Sequence, residues 1–400
     1  MRQLLIFVIF FTALAGAQTT RKFDFGPGKI TPEVRYTAER GYGFEEDSGG
    51  NPPLYFSIQA PEEGNYRVTV TFGSATAASV TTVKAELRRL MVEKVVTEPG
   101  KFETRTFIVN IRRPQIAGDG EVRLKDREKT TEARAWDDKL TLEFTGSRPA
   151  FTHIEVEKAD NTPTLYIAGD STSTDQPKEP FNSWGQMLTR FFTPEIAVAN
   201  NGESGESLRS FIGEHRWAKV MSIIKPGDWV FIQMGHNDQK ERGEGVGAFT
   251  TYKEMLKRFI ADTRQHGATP VAITPMNRLT FGPDGKIANS LGDYPEAVRQ
   301  AAREENVALI DLNAMSKPFY EAMGPVDAHR AFAGSDTTHH SDYGSYELAR
   351  CIVQGIKDAK LPIAKFLVNT PAFDPAHPDP FDQFDIPAEP SGKAETPYGH

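Results

Sequence analysis

At Asn161-Thr162-Pro163 the hydrophobic pattern of the chain changes period, and this change constrains the fold more than any other feature. Before it, from about Arg21 to Lys158, apolar and polar residues alternate. Tyr66-Arg67-Val68-Thr69-Val70-Thr71-Phe72 and Lys139-Leu140-Thr141-Leu142-Glu143-Phe144 show the period of two that a half-buried strand requires. Shorter runs at 107–111 and 153–156 add strands, and clusters such as Gly49-Gly50-Asn51-Pro52-Pro53 and Glu62-Glu63-Gly64-Asn65 punctuate them. With no helical pattern between the strands, an antiparallel β-sandwich is expected over 21–158. After the change, apolar strands alternate with amphipathic helical stretches. The strands are expected at 164–168, 196–200, 229–234, 271–275 and 308–312, and the helices at 182–192, 206–220, 252–266, 295–305 and 343–359. This alternation predicts an α/β domain over 163–362, with a parallel sheet covered by helices on both faces. In such sheets ligands bind beyond the carboxyl ends of the strands, which is where chemistry should be sought.

The two ends of the chain follow other rules. Arg2, an apolar run from Leu4 to Ala15 broken by Thr12, and the small residues Ala15-Gly16-Ala17 have the form of a secretory signal over 1–17. The run is shorter than the roughly 20 residues of a membrane span. A secreted or periplasmic protein is therefore expected, starting near Gln18 and free of the membrane after cleavage. The segment 371–400 is rich in proline and acid and is expected to be extended, with Phe373, Phe381 and Phe384 as possible points of contact along the body. With 46 basic and 54 acidic residues the net charge is −8, which argues against a nucleic-acid partner. A single cysteine, Cys351, excludes an internal disulfide framework and a cysteine-based zinc cluster. The oligomeric state is left open.

Four polar clusters fall at the expected strand ends: Gly169-Asp170-Ser171-Thr172, Asn200-Asn201-Gly202-Glu203-Ser204-Gly205, Gly235-His236-Asn237-Asp238, and Asp336-Thr337-Thr338-His339-His340. Each is weak alone. Together they supply the parts of acyl transfer. A serine hydroxyl needs a base to take its proton, and histidine titrates in the right range. A carboxylate fixes the histidine tautomer, and oriented N–H donors hold the developing oxyanion. Ser171 is expected at a strand-to-helix junction, where free N–H groups favour an anion. Gly205 lets a backbone N–H approach without a Cβ, Asn237 offers a side-chain amide, and Asp336 and His339 are three residues apart on a loop.

In this order the blocks resemble those of the SGNH hydrolases, also called GDSL esterases and lipases, and most closely their rhamnogalacturonan acetylesterase-like branch. The resemblance covers about residues 163–360. It implies a flavodoxin-like three-layer α/β/α domain with no cofactor and no metal. It makes Ser171 the nucleophile, His339 the base, Asp336 its orienting acid, and the Ser171 amide, Gly205 and Asn237 the oxyanion donors. Two departures stand out. The first block reads Gly-Asp-Ser-Thr, not Gly-Asp-Ser-Leu, and Glu206 follows Gly205 where a basic residue is expected, an acid that would weaken galacturonate binding. The β-sandwich resembles the galactose-binding-like jelly rolls of secreted polysaccharide enzymes through Phe23-Asp24-Phe25-Gly26 and Tyr42-Gly43-Phe44.

Competing roles exist for several of these residues. Ser171 is also a plausible helix cap, His340 competes with His339 or is a surface or supporting group, and Asp238 is an alternative acid. His236, Asp170 and Asp238 are expected to be structural hydrogen-bonders. Trp136 is expected in the sandwich core, with a sugar-stacking platform beside Asp137 and Asp138 as the alternative. A metal site at Asp336, His339, His340 and His236 is disfavoured, since His-Glu-x-x-His is absent. Gly-x-Gly-x-x-Gly and Gly-x-Ser-x-Gly are absent too. The resulting expectation is a secreted serine esterase removing acetyl groups from an acetylated plant polysaccharide, rhamnogalacturonan first. An acetylxylan or other carbohydrate acetylesterase and a non-catalytic carbohydrate-binding protein are the alternatives.

Overall fold

The computed structural model describes residues 20–46, 52–118, 120–388 and 397, so the expected export signal at 1–17 lies outside the described residues. Among the described residues, the N-terminal part contains strands β1 (Arg21–Asp24), β2 (Tyr42–Phe44), β3 (Leu54–Gln59), β4 (Gly64–Phe72), β5 (Ser79–Ala85), β6 (Arg89–Thr97), β7 (Glu103–Ile111), β8 (Lys139–Arg148) and β9 (Phe151–Lys158). They form two antiparallel sheets of order β1-β9-β4-β7 and β2-β3-β8-β5-β6. The alternation in β4 sends Val68, Val70 and Phe72 inward against Phe56, Ile58, Leu142 and Phe144 of the facing sheet. Each such side chain contributes roughly 1.5–3 kcal/mol by leaving water. Phe23 and Phe44 belong to this core, so the two aromatic motifs near the N-terminus serve packing.

The second part is a parallel sheet of β10 (Thr164–Gly169), β11 (Ala197–Asn200), β12 (Trp229–Gln233), β13 (Thr269–Ile273) and β14 (Ala308–Ile310), in the order β11-β10-β12-β13-β14. That is the flavodoxin-like order, and its switch point lies between β10 and β12. Both faces are buried, which explains the unbroken apolar strands. Leu165, Ile167, Phe231 and Val271 face the layer holding α1 (Trp184–Leu188), α6 (Leu312–Asp327) and α7 (Asp342–Asp358). Tyr166, Ala168, Val230 and Ile232 face α2 (Leu208–Gly213), α3 (Arg216–Ile223), α4 (Lys253–Gln265) and α5 (Tyr294–Glu304).

The elements depart from their expected bounds in several places. The helix expected over 206–220 is two, because His215 adopts a left-handed φ of 63° between α2 and α3. The helix expected from Asn182 starts at Trp184, where Ser183 accepts from the Gln186 N–H as the cap. The strand expected to end at Leu312 stops at Ile310. Asp311 caps α6, a helix hidden in the sequence by Pro318, Gly324 and Pro325. The described part of the tail, residues 372–388, is mostly irregular but fixed to the body. Phe373 and Ile386 enter the core, Tyr343 donates to the Asp379 carbonyl at 2.8 Å, and Phe384 rests on Tyr343 and Tyr346.

The two parts are locked together by polar contacts at their junction. The β5–β6 turn enters the α/β half, where the Leu87 carbonyl accepts from Gln186 Nε2 at 2.7 Å and the Leu90 carbonyl from Thr189 at 2.6 Å. The segment between β7 and β8 does the same at a second point. Glu128, only 1% exposed, receives both guanidinium nitrogens of Arg216 at 2.9 and 2.6 Å. Trp136 lies here, donating to Glu128 at 2.8 Å beneath Arg112 and packing on Leu87, Val122 and Ala135. It is therefore neither in the sandwich core nor an open sugar platform; the junction buries it.

Candidate active site

β10 delivers Ser171 to the rim of the sheet, next to the switch point. No helix follows directly, which corrects the expected strand-to-helix junction: α1 begins only at Trp184. A tight turn replaces it, with the N–H groups of Ser173 and Thr174 donating to the Asp170 carbonyl at 3.0 and 3.1 Å. The buried Asp170 side chain accepts from the Thr172 N–H at 3.0 Å and the Thr172 hydroxyl at 2.7 Å, and it pairs with His236 Nδ1 at 3.3 Å. Burial pushes the Asp170 carboxyl up, but His236 and Thr172 outweigh it and hold it below the usual range. Burial also depresses His236, against the pull of Asp170, and its Nε2 lies beside the Met276 carbonyl at 3.1 Å. Both residues tie the Ser171 turn to the end of β12.

Ser171 Oγ lies 2.8 Å from His339 Nε2, and His339 Nδ1 lies 2.8 Å from Asp336 Oδ2. The residues are 168 positions apart in sequence and meet because the loop before α7 folds over the end of β10. Asp336 Oδ1 accepts from the N–H groups of Thr338 and His339 at 2.6 and 2.9 Å, so one short turn fixes the acid and the base together. Burial raises the Asp336 carboxyl, yet the bonds from His339 and the two backbone N–H groups prevail and hold it far below the ordinary carboxylate range. Phe181 packs edge-on to the His339 ring at 6.0 Å. His340 is not a surface group: it is 1% exposed, bonds Tyr320 Oη at 2.7 Å and lies tilted against Phe332, and burial drives its pKa down to about 3.

The three expected donors lie in the segments that follow β10, β11 and β12. Gly205 has a φ of 84°, a left-handed conformation that favours glycine. Among the described residues, neither the Ser171 N–H nor the Gly205 N–H has a protein acceptor. Asn237 gives one amide hydrogen to the Glu206 carbonyl at 3.0 Å, leaving its second for a ligand. Ser171, Gly205 and Asn237 thus follow the ends of β10, β11 and β12, which are adjacent strands of the sheet. Asp238 instead accepts from the Leu208 N–H at 2.9 Å, and the acid on His339 is Asp336. No group of three or more His, Cys, Asp or Glu side chains is placed to hold a metal among the described residues.

Glu206 behaves differently from the sequence expectation. It is buried and held by Lys125, by the Ser210 hydroxyl at 2.6 Å, and by Arg216 at 3.8 Å, so it presents no free negative charge to a ligand. The sequence reading also missed three neighbours. Gln176 Nε2 donates to the Ser171 carbonyl at 2.7 Å, and Lys125 and Arg127 reach the Ser204 carbonyl from the β-sandwich half. Nothing in the sequence marks the two cations, since they lie in a separate segment some eighty residues upstream.

The sequence model of the GDSL-like Lipase/Acylhydrolase family matches residues 167–346. Rhamnogalacturonan acetylesterase RhgT of Bacillus subtilis (strain 168) is 36% identical over 220 residues, covering 51% of this chain and 94% of the relative. Probable rhamnogalacturonan acetylesterase YesY of the same organism is 38% identical over 217 residues, covering 51% and 97%. Uncharacterized esterase YxiM, also from B. subtilis, is 27% identical over 363 residues, covering 84% and 90%, and so extends into the β-sandwich half.

Proposed function

Because the chain belongs to the GDSL-like lipase/acylhydrolase family and is an esterase, we propose that it is an exported serine acetylesterase acting on an acetylated plant polysaccharide, rhamnogalacturonan first. The observation that carries the mechanism is the continuous chain of two 2.8 Å contacts from Ser171 through His339 to Asp336. In the first step Ser171 Oγ attacks the acetyl carbonyl carbon as its proton passes to His339 Nε2. The carbonyl oxygen becomes an oxyanion that accepts from Ser171 N–H, Gly205 N–H and Asn237 Nδ2, each such donor being worth roughly 2.7–4 kcal/mol in catalysis. Collapse expels the sugar oxygen, which takes the proton from His339. Water then attacks acetyl-Ser171, giving its proton to the same nitrogen. Acetate leaves, and Ser171 recovers its hydrogen.

The polymer is inferred from the two named relatives, and export from the apolar segment ending at Ala15-Gly16-Ala17. The test is acetate release from acetylated rhamnogalacturonan and acetylated xylan in parallel, with full-length protein secreted by an expressing host and Ser171→Ala beside it. Release from the pectic polymer that falls roughly 10⁵- to 10⁶-fold in Ser171→Ala supports nucleophile and substrate together. Release from xylan alone transfers the substrate and keeps the chemistry. No release from either polymer or from a small acetate ester overturns the reading, and retention in the cytoplasm overturns export.

A further inference from the structure

The oxyanion donors expected at Gly205 and Asn237 both depend on one loop, 203–206, and that loop is held from the β-sandwich half. Lys125 Nζ donates to the Ser204 carbonyl at 2.8 Å, and Arg127 Nη2 donates to the same oxygen at 2.6 Å. The Ser204 carbonyl and the Gly205 N–H are the two ends of a single peptide plane. Two cations on its oxygen fix the plane's rotation and draw electron density toward that oxygen, which strengthens the N–H at the opposite end as a donor. Lys125 also grips the Glu206 carboxylate, and Arg127 the Glu203 carboxylate. The backbone carbonyl of Glu206 is in turn what Asn237 Nδ2 rests on at 3.0 Å.

Both cations are placed rigidly. They flank and include the short turn at Asp126–Lys129, whose Glu128 is clamped by Arg216 of α3 at 2.6 Å and whose approach is fixed by the Arg123 N–H donating to the Glu214 carbonyl at 3.0 Å. Their side chains are only about a quarter exposed, at 23% and 25%, so water screens these contacts weakly. An interaction serving only to join two domains would need no pair of charges on one carbonyl beside the nucleophile.

We propose that Lys125 and Arg127 are positioning residues by which the β-sandwich half holds the Ser204–Gly205 peptide, and with it the oxyanion donors, in their productive orientation. The proposal rests on Ser171 being the nucleophile. It makes the β-sandwich part of the catalytic apparatus instead of an appended module.

The test uses the full chain and 4-nitrophenyl acetate, a substrate too small to report on polymer binding. Arg127→Met and Lys125→Met are expected to lower kcat roughly 10- to 100-fold with little change in KM, because a misplaced donor weakens the transition state more than the bound ester. Arg127→Lys should recover most of the loss, since an ammonium can still meet the Ser204 carbonyl. Arg127→Met leaves Glu203 buried without its partner and can harm folding for that reason alone. Arg127→Met/Glu203→Gln removes that charge and decides the matter: kcat that stays low supports the proposal, and kcat restored to the wild-type value overturns it. Wild-type kcat in both methionine variants, or a loss confined to KM, overturns it as well. Ser171→Ala in the same assay separates the two readings: if it too keeps wild-type activity, the catalytic reading fails first.

Discussion

Asp336 uses each carboxylate oxygen for a different task, and this makes its replacement informative. Oδ1 accepts from two backbone N–H groups, of Thr338 and His339, whereas Oδ2 faces His339 Nδ1 at 2.8 Å. In Asp336→Asn the amide oxygen must stay with the two backbone donors, so the amide nitrogen is forced toward His339 Nδ1. That nitrogen then has to accept, the ring proton moves to Nε2, and the atom facing Ser171 can no longer take a proton. A kcat loss of roughly 10³- to 10⁴-fold is expected with the turn intact. Activity within about tenfold of wild type would show that Asp336 does not set the tautomer. At this scale Ser171, Asp336 and His339 were readable as candidates, because each sits in a short local motif of the sequence. The separation of His339 from His340 was less so. Spacing from Asp336 favoured His339, but only the burial of His340 against Tyr320 and Phe332 gives a physical reason.

Among the elements, α1 shows how packing fixes the nucleophile turn. Gly185 in α1 brings the helix against that turn so closely that an added Cβ would lie 2.1 Å from the Ser173 carbonyl oxygen and 2.7 Å from Asn200 Nδ2. These two atoms bond each other at 2.7 Å and hold the turn to the end of β11. Gly185→Ala should therefore push the turn outward, costing roughly 1–3 kcal/mol of stability. The displaced Ser171 should lower kcat roughly 10²-fold. Gly213→Ala is the control, since a Cβ there meets nothing within 4 Å. Denaturant midpoints and kcat measured on both variants check this, and equal behaviour would refute it. A strand with one buried face, such as β4, was legible from alternation alone. β5 was not, because Thr82 and Lys84 are buried along with Val83 and Ala85 and the polar half of the pattern disappears. α6 was hidden by its prolines, and the break at His215 by a left-handed residue that carries no sequence mark.

At the scale of the whole molecule, what the sequence concealed is the junction, where residues distant along the chain neutralise one another's charges. Lys125 pairs with Glu206 and Arg216 with Glu128, and only the meeting of the two halves gives them these partners. The same burial leaves carboxyls that resist ionisation. Glu86 on the β5–β6 turn and Asp238 at the end of β12 are each pushed by burial up to about 8, and Asp137 to about 6. In the unfolded chain all three would titrate near 4. Between about pH 5 and 8 the folded protein thus binds more protons than the unfolded one, and stability must fall as pH rises through that window. Asp336 and Asp170 act in the opposite sense. Their folded values lie below the unfolded ones, so their contribution is complete above about pH 4 and is lost only in stronger acid. The net charge of −8 adds repulsion on the alkaline side. The midpoint of thermal unfolding should accordingly be highest near pH 5–6 and fall steadily toward pH 8.5. Asp238→Asn keeps an acceptor for the Leu208 N–H and removes one of the ionisations, so it should flatten the decline. A midpoint that rises between pH 6 and 8.5, or an Asp238→Asn curve parallel to wild type, would mean that these buried carboxyls are already ionised in the folded chain and that the junction carries compensating charge.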